Sequence, residues 1–193
     1  ARFRTPITVE DHHASQMIAD PLRLFDFCME TDYGCAVVIT SAERAQDCPH
    51  PPAYLASAAV GAPFRYGNAL MSFYNQPDED FASSGQRAVA SEVFRLAGMG
   101  IADMDVAMVY DHFTPMVITS LEDFGFCAKG EGGPYVEAGN LGLDGPLPVN
   151  PHGGNLAEAY THGMSHVNEA VRQLRGTAIN QVPGATNVLV VGG

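Results

Sequence analysis

Leu147 to Gly176 read LPVNPHGGNLAEAYTHGMSHVNEAVRQLRG, a turn rich in proline and glycine that runs into a helical pattern. Pro148, Pro151, Gly153 and Gly154 make the turn. Leu156, Ala159, Gly163, Val167, Ala170, Val171 and Leu174 then fall three or four apart, which predicts a long helix with one apolar face. Arg172 and Arg175 occupy the last turn with Gly176 beyond it, the charge and cap pattern of a helix C-terminus. At the other end, the Gly153-Gly154 turn offers free N–H groups at the positive end of the helix dipole, suited to a developing oxyanion. Gly153 and Gly154 are therefore candidate substrate-binding residues, joined by His162, which with Tyr160 is expected one to two turns into the helix.

Working outward, Met104 to Tyr110 (MDVAMVY) and Asn187 to Val191 read as strands on either side of this helix. Strands alternating with helices predict an α/β layered fold, a mixed sheet with helices on both faces. Tyr110-Asp111-His112-Phe113 lies on the turn after a strand, where open α/β sheets place their chemistry. A helix follows in TPMVITSLEDFG, with Thr114 as N-cap, Pro115 at its first position and Gly125 past its end. Earlier, Ser83 or Ser84 can cap a helix reaching about Leu96 and ending at Gly98 or Gly100, and Glu131 to Gly133 reads as loop. Tyr33 to Ser41 (YGCAVVITS) has the continuous β-branched pattern of a strand buried on both faces, and Ala53 to Ala62 reads as a second strand. Ala42 to Asp47 makes a brief helical turn between them. Pro63 to Phe81 is irregular and rich in aromatic rings, either packed on the core or lining an apolar substrate. Thr8-Val9-Glu10-Asp11 resembles a capping box opening a helix to about Ile18, ended by Asp20-Pro21, and residues 1–30 read as a connector with little core.

The chain has 193 residues, 46% of them hydrophobic, enough to bury one sizeable core, and nothing in it suggests two independent domains. A net charge of −12 and a single lysine, Lys129, argue against a nucleic-acid partner, although a few arginines and helix N-termini can still hold an anionic CoA thioester. Four cysteines (Cys28, Cys35, Cys48, Cys127) show no CxxC spacing and no disulfide framework, which points to the reducing cytoplasm. No apolar run approaches the roughly 20 residues that span a membrane. The opening ARFRTP and closing NVLVVGG both read as cut, as in a piece of a longer polypeptide. His162-x-x-x-His166 and Asp111-His112 are the metal suspects, but the HExxH glutamate is missing and no metal site is expected. No GxSxG elbow supports a serine triad, and His12-His13 reads as an exposed pair.

The segment YDHF, then GEGG, LPVNPHGGNLAEAYTHG and VRQLRG, resembles the C-terminal half of thiolases, most closely the sterol carrier protein X type. PLRLFDFCMETDYGCAVVITSAERA is similar to the start of that half. The resemblance implies a chain whose residues 1–26 are the tail of the connector between halves and whose residues 27–193 form the C-terminal half without its final strand. Three positions depart from the thiolase pattern. Where the sterol carrier type has His-Asp-Cys-Phe, this chain has Tyr110-Asp111-His112-Phe113; its Gly-His-Pro becomes Ala159-Tyr160-Thr161; and Val190 stands where ordinary thiolases carry a cysteine. A thiolase needs a thiol base to make and break its acyl-enzyme, and neither usual position for it holds a cysteine here.

With two tyrosines in place of two histidines, the pattern is similar to the thiolase-like aldolases of bacterial steroid side-chain degradation. That resemblance implies retro-aldol cleavage of a β-hydroxyacyl-CoA, a 17-hydroxy steroid thioester giving propionyl-CoA and a 17-ketosteroid. Tyr110 and Tyr160 would be the catalytic pair, with His112 and Asp111 assisting. A phenol with an ordinary pKa near 10 is only about one part in a thousand ionised at pH 7, so a base role requires a lowered pKa or a relay. The same resemblance implies an acyl-CoA substrate, no cofactor, a homodimer, and an OB-fold partner with a zinc ribbon to which any zinc would belong. Two alternatives stay open: an acyl-transferring thiolase whose nucleophilic cysteine lies in another half and whose base is His112, and a non-catalytic acyl-CoA-binding scaffold.

Overall fold

The computed structural model describes residues 5–62, 83 and 85–192, so the aromatic stretch Pro63 to Phe81 and Ser84 lie outside the described residues. The α/β expectation holds. Strand β3 (Val106–Met108) pairs in parallel with β4 (Val188–Val190), Val106 opposite Val188 and Met108 opposite Val190. Every residue of β3 is buried, because successive side chains point to opposite faces and both faces are covered. Val106 and Met108 pack with Ala170 and Val182. Ala107 and Val109 pack the other way, with Leu121 and Leu147.

Helix α3 (Arg87–Ala97) stops at Gly98 and α4 (Thr114–Phe124) at Gly125, both glycines in left-handed conformation, as the sequence suggests. Their starts differ from expectation. The N-cap of α3 is Gln86, not a serine, and the Ser83 hydroxyl instead donates to Asp123 Oδ1 at 2.6 Å. Thr114 sits inside α4 rather than capping it, because its hydroxyl is committed to Asp26 Oδ1 at 2.6 Å; extended Phe113 precedes the helix without a side-chain cap. The glycines expected to form a loop begin α5 (Gly132–Glu137), since Glu122 Oε1 accepts from both Gly130 N and Gly132 N at 3.1 Å and anchors its first turn.

The expected long helix is two pieces. A single turn, α6 (Gly154–Ala157), is followed by an irregular stretch and then α7 (Met164–Leu174). The break falls at His162 and Gly163, which both have positive φ, 50° and 81°, a conformation no α-helix contains. Nor is the inward face of α7 the apolar one expected. Its buried residues are Ser165, His166, Glu169, Ala170 and Gln173. Gln173 explains part of this, since it binds Glu169 at 2.9 Å and Asn180 O at 2.8 Å, and its Oε1 accepts from Val182 N at 2.9 Å, so the buried polar face ties down the following loop.

At the N-terminal end, the capping box is present: Thr8 N donates to Asp11 Oδ2 and Asp11 N to Thr8 Oγ1. Helix α1 (Val9–Ala14) is shorter than expected, because Ser15 leaves the helical region and the chain enters a hairpin of β1 (Met17–Ala19) and β2 (Leu22–Arg23) across a cis Asp20-Pro21 bond. Residues 33–41 and 53–62 are not strands. They have no ladder partner among the described residues, and Val38, Ile39, Leu55 and Val60 are 96%, 88%, 83% and 101% exposed. A short helix α2 (Ala42–Ala45), capped by Ser41, lies between them as expected.

Candidate active site

The site is built at the C-terminal end of β3. Beyond Met108 the chain is held by Asn150, whose amide side chain accepts from Val109 N and donates to Val109 O, each at 2.8 Å. Asn150 adopts φ 47°, which its side chain tolerates better than most. His166, 0% exposed on α7, places Nε2 at 2.8 Å from Val109 O and 3.3 Å from Asp111 Oδ1. Both neighbours accept only, so Nε2 carries the proton. Strand end, turn and α7 are thereby locked together just before Tyr110.

Asp111 is 3% exposed and points at the start of α6, where Oδ1 accepts from Asn155 N at 2.7 Å and Oδ2 from Leu156 N at 3.3 Å. This corrects the expected oxyanion site. The N–H groups after Gly153-Gly154 are already filled by a carboxylate of the chain itself, and α6 is a single turn. Gly154 matters for a different reason: a Cβ there would overlap the Asp111 carboxylate.

Tyr110 and Tyr160 do meet, although 50 residues separate them: their hydroxyl oxygens are 3.0 Å apart. Tyr160 is brought there by the irregular stretch between α6 and α7, and not by a helix. The same stretch places His162 with Nδ1 3.2 Å from the Tyr160 hydroxyl and its ring 4.6 Å from the Tyr160 ring. Hence His162 and His166 are not the helical pair considered as a metal suspect, since one is exposed before α7 and the other is buried on Val109 O. Gly163 lies under Tyr110, where a Cβ would stand 3.1 Å from the ring.

Burial, then the hydrogen bond and charge of Tyr160 and the charges of Cys28 and Asp111, push the Tyr110 phenol well above its ordinary pKa, so Tyr110 keeps its proton. Burial lowers the His112 pKa, outweighing the opposing influence of the Tyr110 backbone and the Asp111 charge, and leaves a neutral ring. That ring lies between Tyr110 and Phe113, at centroid distances of 5.0 and 4.6 Å. Its buried Nδ1 has no hydrogen-bond partner.

Three features of the site escape sequence reasoning. The expected connector is docked onto it: Cys28 N donates to His112 O at 3.0 Å, Phe27 stacks edge-on with Phe113 at 5.1 Å, and buried Asp26 receives Thr114. Half-buried Cys28 is near enough to act electrostatically on Tyr110. Behind the site, His152 and Asn155 hold buried side-chain atoms without hydrogen bonds. The HGGN run displays these residues but not their burial.

Comparison with known proteins follows the same lines. The family model described as thiolase C-terminal domain-like matches residues 67–193. The chain is 44% identical over 191 residues to the steroid side-chain-cleaving aldolase of Thermomonospora curvata, covering 99% of this chain and 48% of that protein. It is also 44% identical over 192 residues to the 17-hydroxy-3-oxo-4-pregnene-20-carboxyl-CoA lyase of Mycobacterium tuberculosis, covering 99% of this chain and 49% of that protein. A solved Ltp2-ChsH2(DUF35) aldolase matches with a TM-score of 0.90 at 41% identity, over 99% of this chain and 49% of that one. The chain spans about half the length of the curated relatives it matches.

Proposed function

Because the chain belongs to the thiolase C-terminal domain-like family, we propose that the full-length protein is a retro-aldol carbon–carbon lyase of a β-hydroxyacyl-CoA. Its substrate is a 17-hydroxy steroid side-chain CoA thioester, and its products are propionyl-CoA and a 17-ketosteroid. The names of the two 44% identical relatives, an aldolase and a carboxyl-CoA lyase, support this reading. The observation that carries it is the Tyr110–Tyr160 phenol pair at 3.0 Å, with Tyr110 on the turn after β3 that resembles the His-Asp-Cys-Phe turn of the sterol carrier type.

The reaction is redox-neutral and consumes no free CoA. A base removes the hydroxyl proton, the electron pair of that O–H bond becomes the new carbonyl, and the carbon–carbon bond breaks. Its electrons pass to the thioester enolate, which a proton donor then quenches on carbon. Tyr110, which burial keeps protonated, is the donor. Tyr160 takes the hydroxyl proton. His112 packs against Tyr110 and holds its ring angle, while Asp111 fixes the turn by capping α6. Gly154 lets the backbone of that turn come close enough to Asp111 for the cap, while Gly153 lies close against the Ala157–Glu158 end of the same turn.

No cofactor enters this chemistry, the CoA thioester being substrate. We place a second thiolase-like half in the full-length protein, a homodimer as its assembly, and an OB-fold, zinc-ribbon protein as its partner. The solved relative, named for both Ltp2 and ChsH2(DUF35), supports a partner subunit. Among the described residues no helix is long and apolar enough to cross a membrane, and we propose a cytoplasmic location, in keeping with four cysteines that show no disulfide framework in the sequence.

The test is turnover of the 17-hydroxy steroid thioester by the full-length protein with its partner. Propionyl-CoA should appear without consumption of free CoA. Tyr110→Phe and Tyr160→Phe should each lose about 100-fold or more in kcat with circular dichroism unchanged. An acyl-transferring thiolase is the second reading, with its nucleophilic cysteine in the other half and His112, whose ring packs against Tyr110, as its base. CoA-dependent cleavage of a 3-ketoacyl-CoA, with a covalent acyl-enzyme that can be trapped, would establish it in place of the lyase. A scaffold would bind acyl-CoA without turning over either substrate.

A further inference from the structure

We propose that His162 is the outlet of a proton relay: Tyr160 hands its phenolic proton to His162 Nδ1 as it takes the proton of the substrate hydroxyl. The inference rests on the retro-aldol reading and assigns a role within it that the tyrosine pair alone leaves open. A neutral phenol is a poor base, and a free phenolate at neutral pH is rare. A phenol hydrogen-bonded to a neutral imidazole avoids that difficulty, because proton gain and proton loss occur on the same oxygen and no phenolate accumulates.

The geometry fits one direction of transfer. His162 Nδ1 lies 3.2 Å from the Tyr160 hydroxyl, whose oxygen is 3.0 Å from that of Tyr110. With Nδ1 as acceptor, Tyr160 donates to His162 and is left to accept from Tyr110, so three groups form one chain running from the strand end to the surface. The surface end is His162, an exposed residue. The two left-handed residues His162 and Gly163 interrupt the helical path and turn the imidazole back onto Tyr160; a continuous helix would carry residue 162 away from residue 160. The titratable groups arrayed along the relay are Tyr160 from the same stretch and Tyr110, Asp111 and His112 from the end of β3. His166 of α7 stands behind Tyr110, ring centroids 6.4 Å apart.

The protons balance over a turnover. The substrate hydroxyl proton passes to Tyr160, whose own proton passes to His162, and the carbon–carbon bond breaks to the enolate. Tyr110 protonates the enolate carbon and is recharged by Tyr160, which is recharged by His162. Because His162 acts through Tyr160, its loss should change kcat and the pH profile and leave substrate affinity alone.

The experiment uses the full-length enzyme with its partner and two variants. His162→Asn keeps a residue type that tolerates positive φ and keeps a hydrogen-bond acceptor, but cannot be protonated. His162→Gly accepts the backbone and leaves space for added imidazole. We expect His162→Asn to lose about 10- to 100-fold in kcat with KM within about twofold, and to lose the wild-type fall in kcat on the acid side. Imidazole should restore a measurable part of the His162→Gly rate. Wild-type kcat and an unchanged pH profile in both variants would overturn the relay while leaving the tyrosine mechanism standing. A wild-type enzyme that releases no propionyl-CoA would remove the lyase reading and the relay together.

Discussion

At the scale of single residues, His152 has the most legible consequence for stability. Its side chain is 4% exposed, stacks edge-on with His166 at 5.1 Å, and has Glu158 Oε2 no nearer than 3.8 Å, too far for a hydrogen bond. Burial, aided by the His166 charge, lowers its pKa from 6.5 to about 4. A depressed folded-state pKa gives stability that is complete above the unfolded value of 6.5 and is lost as the pH falls toward about 4. Moving from pH 7.5 to 5 should therefore cost about 2 kcal/mol from this group alone. Urea midpoints of the full-length protein at the two pH values check this, and His152→Gln should show a clearly smaller drop. Gly163 carries the second prediction. Alanine there must hold φ 81° and stand 3.1 Å from the Tyr110 ring, so Gly163→Ala should cost about 1–2 kcal/mol and lower kcat by displacing that ring. Thermal unfolding and turnover should fall together. An unchanged kcat would mean that Tyr110 tolerates the shift. At this scale Tyr110 and Tyr160 were visible in the sequence, because each replaces a histidine within a recognisable motif. The Tyr160–His162 contact was not, since two consecutive left-handed residues leave no periodicity to read.

At the scale of elements, the polar clamp on β3 decides whether the turn that carries Tyr110 and Asp111 is held. Asn150 satisfies both backbone groups of Val109, a residue 1% exposed. Removing it leaves the Val109 N–H unpaired in the interior, a cost of about 1–3 kcal/mol, whereas Val109 O retains His166. Asn150→Ala should lower thermal stability by that amount and weaken turnover. Asn150→Asp, which can accept from Val109 N but not donate to Val109 O when ionised, should fall between wild type and alanine only if the N–H is the group that matters. A comparable latch holds β4, where Asp105 Oδ2 accepts from Thr186 N, Asn187 N and the Thr186 hydroxyl. Burial raises the Asp105 pKa, but these bonds outweigh it and leave it lowered, so this stabilisation is present above the ordinary carboxylate range and fades as the pH falls below it. Strands β3 and β4 could be read directly, because short apolar runs bounded by polar turns leave little choice. The helix of 147–176 could not. Its three-and-four spacing continues through Tyr160 to Gly163, while the actual boundary is set by backbone angles and by buried Glu169 and Gln173, which a hydrophobicity pattern counts as surface.

At the scale of the whole molecule, the sequence and the fold part company at residues 33–41. YGCAVVITS is a run of small and β-branched residues, a composition that is stable as a strand only with ladder partners and cover on both faces. The described residues supply neither: the parallel pair β3–β4 does not include it, and Val38 and Ile39 stand 96% and 88% exposed, as Leu55 and Val60 of the other apolar run do at 83% and 101%. Apolar side chains scattered singly on a surface need no explanation, but consecutive ones as bare as Val38 and Ile39 are of the sort that proteins cover. The relatives are about twice as long as this chain, which leaves ample polypeptide to cover it. The expectation follows that Val38→Cys reacts rapidly with a thiol reagent in the 193-residue chain and at least about tenfold more slowly in the full-length protein. Peptide mapping by mass spectrometry separates this signal from Cys28, Cys35, Cys48 and Cys127. Equal rates in the two proteins would mean that the run is a solvated strip and that its strand-like composition has another cause. A slowed rate would show that its pattern encodes burial which only the longer chain completes.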